Sequence, residues 1–268
     1  MKAAPFPAMS SGLEISLFSY TLVTSASLPG GSRGRRRRGQ GTIVRGIYRV
    51  AGPDVTDQRD CNVYLIDLGE EAVLIDSGFG SAVDKMIARV EDAGVSPSRI
   101  STAILTHCHI DHIGGAARLR EQLGIRLLMH EADARIVEEG DSRLTAAFCF
   151  DVQFPPLTID VKISGPEGDI PFHGAYLSFL HTPGHTPGSI SLYLENGGKR
   201  ILFGQDLGAP LLREFDCDPV SWRRSMEKLL ALKADVLCDG HSGVYQPARA
   251  VSAYIRHFMR LYGRDRVE

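Results

Sequence analysis

Apolar positions along this chain recur with two periods. Alternation, or short unbroken runs rich in Val, Ile, Leu, Tyr and Phe, predicts strands at 42–50, 61–68 and 72–78, the last two joined by a Gly-Glu-Glu turn. Further runs predict strands at about 99–105, 125–129, near Val161, and at 175–180, 189–194, 200–203 and 236–238. Helical spacing appears over 84–93, with Val83, Ile87 and Val90 on one face and Gly94 as a stop. It recurs at roughly 112–123, 131–139, 219–232 (opened by Pro219) and 247–262. Residues 140–160 are weakly patterned and read as a long loop or broken helix over a site. Strands dominate and helices are interspersed, an order that fits two sheets covered by helices.

Composition changes this picture little. A chain of 268 residues, 43% hydrophobic and 23% charged, is long enough for a sizeable core. Five cysteines (Cys61, Cys108, Cys149, Cys217, Cys238) are scattered, odd in number and without a C-x-x-C pair. That argues against a disulfide framework and for a reducing, cytoplasmic setting. Cys108 and Cys238 lie close to histidines in sequence, but a small buried side chain is the simpler reading of each. No apolar run approaches the roughly 18 residues needed to cross a bilayer, so no membrane partner is expected.

Charge divides the chain. The net charge is −2, yet residues 1–50 carry Lys2, Arg33, Arg35, Arg36, Arg37, Arg38, Arg45 and Arg49 against Glu14 alone. Residues 1–41, rich in Ser, Gly, Pro and Ala, read as a disordered basic leader. The body, 42–268, is then mildly acidic. Nucleic acid is therefore not expected as a partner except through the Arg33–Arg38 block, and a start assigned too early accounts for the leader as well as all functional readings together, a targeting segment among them.

The chemistry is concentrated in Thr106-His107-Cys108-His109-Ile110-Asp111-His112-Ile113-Gly114-Gly115. Imidazole and carboxylate are the ligands that borderline divalent metals prefer. If the strand before it continues, His107, His109 and Asp111 share a face and His112 diverges. If the backbone turns into a helix at the glycines, the segment presents two sets of ligands. Three further signals follow strands: the His181-Thr182-Pro183-Gly184-His185-Thr186-Pro187-Gly188-Ser189 turn, Gly204-Gln205-Asp206, and Cys238-Asp239-Gly240-His241. Together they supply seven ligands on loops, too many for one tetrahedral ion and suited to two metals sharing a bridge.

These motifs, with the early Leu-Ile-Asp-Ser-Gly that contains Asp76, resemble the metallo-β-lactamase superfamily in their usual order, from about Ile43 onward. The resemblance implies an α+β fold, a four-layer αβ/βα sandwich with metals at one edge of the sheets. It implies a first metal on His107, His109 and His185, a second on Asp111, His112 and His241, Asp206 as the bridge, and Asp76 orienting a ligand by hydrogen bond. His130, His173, His181 and His257 match no ligand position. The cofactors implied are two divalent ions, zinc by default, with iron or manganese compatible.

The expected activity is hydrolysis of a small molecule's ester, thioester or lactone carbonyl by a metal-bridging hydroxide, with Asp111 placed to take a proton. Within the family the fit is closest to glyoxalase II-like hydrolases. Gln205 and the Ser242-Gly243-Val244-Tyr245 run depart from that group. A mononuclear-iron persulfide dioxygenase on His107, His185 and Asp206 is one alternative, and a phosphodiesterase or nuclease is another. Substrate, metal and oligomeric state stay open, because specificity lies in loops, here 52–60, 140–160 and 207–218.

Overall fold

The computed structural model describes residues 41–262. The leader expected over 1–41 lies, apart from Gly41, outside them. The first sheet orders its strands as they occur in the chain: β1 (Thr42–Val44), β2 (Ile47–Ala51), β3 (Val63–Asp67), β4 (Ala72–Ile75), β5 (Ile100–Leu105), β6 (Arg126–His130) and β7 (Val161–Ile163). The second sheet does the same with β8 (Glu167–Phe172), β9 (Ala175–His181), β10 (Ile190–Asn196), β11 (Lys199–Gln205), β12 (Val236–Asp239) and β13 (Gly243–Tyr245). Strands β4 to β7 are mutually parallel, as are β11 and β12, and the other pairs are antiparallel. Helices make the parallel crossovers: α1 (Val83–Asp92), α2 (Ile110–Ile113), α3 (Ala116–Leu123) and α4 (Glu131–Glu139) in the first sheet, α5 (Pro219–Ala231) in the second. Helix α6 (Ala248–Tyr262) closes the described chain.

The two-residue period of the strands explains the layering. In β3, Val63 and Leu65 face one apolar cluster while Tyr64 and Ile66 face another. In β4, Ala72 and Leu74 join the first, Val73 and Ile75 the second. The first cluster packs against α1, α3 and α4. The second lies between the sheets, where Tyr64 meets Phe203 at a ring-centroid distance of 5.6 Å. Strands β11 and β12 repeat the alternation: Ile201, Phe203, Val236 and Cys238 point between the sheets, while Leu202 and Leu237 pack on α5 and α6. Three apolar interfaces thus separate four layers, αβ/βα, as the resemblance implied.

Four expectations about elements change. The strand expected over 42–50 is a hairpin, because Gly46 (φ 79°) turns the chain between β1 and β2. The helix expected over 112–123 is two, α2 and α3, divided at Gly114 and Gly115. A Cβ on Gly114 would lie 2.2 Å from the Phe79 carbonyl oxygen, and one on Gly115 would lie 2.2 Å from that of Ser77, so only glycines let the 77–79 loop press there. Strands β8 and β13 went unread. Strand β8 contains Asp169 and Pro171, poor strand formers, and is held at the sheet edge by pairing with β9.

Caps agree with local chemistry. The Asp218 carboxylate accepts from the Val220 N–H at the start of α5, with Pro219 in its first turn. Gly124 and Gly140, both left-handed, end α3 and α4. Among the described residues no helix is long and apolar enough to cross a membrane.

Candidate metal centre

The seven motif residues meet where β4, β5, β9, β11 and β12 end. Strand β4 runs into Asp76 (φ 66°). Strand β5 runs into Thr106, His107 and His109, and His109 is the last extended residue before α2, which carries Asp111 and His112. Strand β9 ends at His181, and the turn after it is closed by Thr182 N–H to Ser189 O (2.8 Å) and Gly184 N–H to Thr186 O (3.1 Å), which fixes His185 on a short rigid loop. Asp206 follows β11 and His241 follows β12.

Two groups of candidate ligands result. His107, His109, His185 and Asp206 each offer an atom within 4.8 Å of the others, and so do Asp111, His112 and His241. Asp206 joins the sets. Its Oδ2 lies 3.5 Å from His185 Nε2 and 4.0 Å from His107 Nε2, while its Oδ1 lies 3.1 Å from His112 Nε2 and 3.2 Å from His241 Nε2. Asp111 Oδ2 lies 3.3 Å from His241 Nε2 and 3.6 Å from His112 Nε2. Of the two backbone paths the sequence left open, an extended strand with Asp111 beside His107 and His109 or a turn into a helix, the second is the one found. The chain turns into α2 after His109, and the helix swings Asp111 to the other set.

Charge and burial oppose one another here. Burial by itself raises a carboxylate's pKa, but the His241 and His112 imidazoles overcome it at Asp206 and hold that carboxyl well below its usual range. Asp111 is likewise lowered, by His112 and His241, against the effect of burial. Burial pulls imidazoles down, and His107 falls well below its normal value, with His112 adding to the effect; His109 falls to about 3 through burial and its neighbour His185. At His185 and His241 burial is outweighed, chiefly by Asp206, and they rise to about 9 and about 10.

The donor set fits divalent cations. His109 Nδ1 and His185 Nε2 sit 2.9 Å apart, too close for two N–H donors to face each other. His107 Nε2, in the first set, and Asp206 Oδ1, facing the second, are each buried without a hydrogen-bond partner, a costly state that a cation in each set would relieve.

Around the ligands lies an orienting layer. His112 Nδ1–H donates to Asp76 Oδ2 (2.7 Å), and Asp76 Oδ1 accepts from the Thr106 N–H (2.8 Å) and hydroxyl (2.9 Å). Gln205 Nε2–H also donates to Asp76 Oδ2, a contact that a mid-sequence glutamine gives no hint of. Of the cysteines, Cys61, with Asp76 and His112, is the one near ligand distance; its burial pushes the thiol up. Cys108 turns away to donate to Leu144 O (3.4 Å), and Cys238 lies in the inter-sheet core. His130 and His181 stack at 4.0 Å, outside both sets; His173 and His257 are also outside them.

Loops frame the site. Ile110 N–H donates to Thr145 O (2.8 Å), seating the 140–150 segment on the first motif. Arg143 reaches Asp216 (3.1 Å) and Glu214 O (2.7 Å), tying that segment to the loop after Asp206. Phe215 lies edge-on to His109 at 5.4 Å, with the exposed Phe148 beside it at 6.0 Å.

Two stacked sheets with outer helices and a His/Asp cluster at the strand ends define a metallo-β-lactamase fold. The metallo-β-lactamase superfamily model matches residues 56–241, and the chain belongs to that superfamily. It is 30% identical over 224 residues to the β-lactamase-like protein 2 homolog of Drosophila melanogaster, covering 80% of this chain and 70% of that one. It is 30% identical over 158 residues to the hydroxyacylglutathione hydrolase of Cereibacter sphaeroides, covering 56% of this chain and 52% of the relative. A motif mutant of the metallo-β-lactamase of Cronobacter sakazakii superposes with a TM-score of 0.69 at 23% identity, covering 83% of this chain and 94% of that one, a likeness of fold alone. The family and the cluster together mark a divalent-metal site.

Proposed function

We propose that the chain is a dinuclear metal-dependent hydrolase acting on an ester, thioester or lactone carbonyl of a small molecule. One observation carries this reading: the two oxygens of Asp206 face two separate ligand sets. His107, His109 and His185 would hold the first cation, Asp111, His112 and His241 the second, and Asp206 would touch both. When bound, such cations lower the pKa of water from about 15.7 towards 7 and polarise a carbonyl oxygen.

The protein's own groups do the rest. Asp111 is more open than the fully buried ligands, and its carboxylate would accept a proton from the nucleophile. Asp76 fixes the tautomer of His112 by accepting a hydrogen bond from its Nδ1–H, which leaves Nε2 free to bind. Phe215 and Phe148 put aromatic rings beside His109.

Similarity to hydroxyacylglutathione hydrolases supports a thioester among the candidates. Gln205 departs from the glycine usual there, which keeps esters and lactones in play. A single-iron dioxygenase needs only His107, His185 and Asp206, and the complete second set weighs against it.

The test is metal analysis of the purified protein combined with a panel of thioesters, lactones and phosphodiesters. We expect about two ions per chain, carbonyl hydrolysis, and loss of nearly all turnover on chelation with recovery on adding Zn²⁺. Undiminished turnover after complete metal removal, or oxygen uptake with glutathione persulfide in place of hydrolysis, would replace this reading.

A further inference from the structure

Asp133 stands on the first turn of α4, is fully buried, and belongs to neither ligand set. Its Oδ2 accepts from the Cys108 N–H (2.9 Å) and the Thr186 hydroxyl (2.6 Å), and its Oδ1 accepts from the Gly188 N–H (2.5 Å). Cys108 lies between His107 and His109, and Thr186 directly follows His185. One carboxylate therefore holds the two loops that carry all three histidines of the first set.

The contact is close. A Cβ on Gly188 would lie 2.5 Å from Asp133 N and 2.7 Å from Asp133 Cγ, so the turn approaches the helix as only glycine allows. A second contact registers the same parts: His130, which caps α4 through Nδ1, stacks on His181 at the start of the turn. Taking a carboxylate out of water is expensive. Three donors converging on Asp133 offset that cost, and each comes from a loop next to a ligand.

We infer that Asp133 is a positioning residue that sets the spacing of His107, His109 and His185 and thereby the cation affinity of the first site. The inference rests on the dinuclear reading above.

Asp133→Asn is a sharp probe. Both carboxylate oxygens accept from donors, so the amide NH₂ faces a donor whichever way it is turned. Metal-free protein is titrated with Co²⁺ and followed by visible absorption, with circular dichroism as the check on folding. Wild type should show two binding events. In Asp133→Asn the first-site event should weaken by about 10–100-fold, the usual range for losing an outer partner of a ligand, while the Asp111–His112–His241 event stays. Thr186→Val removes one of the three bonds to Asp133 at constant shape, together with the Thr186–Ser189 hydroxyl contact (2.7 Å), and should give a smaller shift in the same event, with Ser189→Ala as the control for that contact; it decides the question if Asp133→Asn does not fold.

A general stabilising role would lower the melting temperature of both variants and leave their cobalt affinities and spectra as in wild type, and that result overturns the inference. Wild type that binds no Co²⁺ at all would instead overturn the dinuclear hydrolase reading.

Discussion

Asp206→Ala should cut turnover by about a thousandfold or more, equivalent to about 4 kcal/mol of lost transition-state stabilisation, while the chain still folds. Asp206 is almost wholly buried, and its two oxygens lie between 3.1 and 4.0 Å from four imidazoles drawn from both sets. Removing it leaves those imidazoles facing one another with Asp111 as the remaining carboxylate among the seven. Cations that share a ligand then lose it together, so metal content should fall along with kcat. The fold should survive, because Asp206 lies on a loop beyond β11 and takes no part in the three apolar clusters. Steady-state kinetics, metal content and circular dichroism on the purified variant decide it. A variant with wild-type metal content and near-normal kcat would mean that this carboxylate is not shared.

Gly184→Ala should cost stability rather than chemistry alone, by roughly 3 kcal/mol or more from overpacking and strained backbone. Gly184 has φ 133°, and a Cβ there would sit 2.2 Å from Trp222 N and 2.3 Å from Trp222 Cα. Those are backbone atoms in the first turn of α5 and cannot swing aside. The turn is also tied to that helix by Asp218 N–H to Gly184 O (2.8 Å) and Ser225 hydroxyl to Pro183 O (2.8 Å), so it cannot back away. Either α5 lifts or His185 moves. Gly197→Ala is the control: Gly197 also has positive φ (58°), but a Cβ there meets nothing within 4 Å, so only the backbone cost of about 1 kcal/mol applies. Denaturant unfolding of the two variants side by side measures the difference. Equal midpoints would show that the approach of the turn to α5 is not tight.

Much of the molecule was legible because its signals are local. Unbroken β-rich apolar runs in 61–68 and 72–78 revealed β3 and β4, since both faces of those strands are buried, each in a different cluster. What escaped was set by tertiary pairing. Strand β8 has a mostly exposed face and a proline, so nothing in its own residues separates it from a loop until β9 pairs with it. Gly114 and Gly115 made the turn into α2, and with it a separate place for Asp111, an open possibility in the sequence, but the 77–79 loop that presses on those glycines comes from elsewhere in the chain. Asp133 was invisible for a different reason. An acid in the first turn of a helix is ordinary dipole chemistry, and only the arrival of Cys108, Thr186 and Gly188 makes it more. Gln205 is similar: its contact with Asp76 joins residues 129 apart in sequence.

The sandwich divides at the short link of residues 164–166. His107, His109, Asp111 and His112 come from the part before it, and His185, Asp206 and His241 from the part after. On the proposed assignment neither part alone owns a complete ligand set, so an ion seated at the centre would also fasten one sheet to the other. Its binding free energy would be added to their docking, and the proposed metal centre would double as the clasp of the molecule.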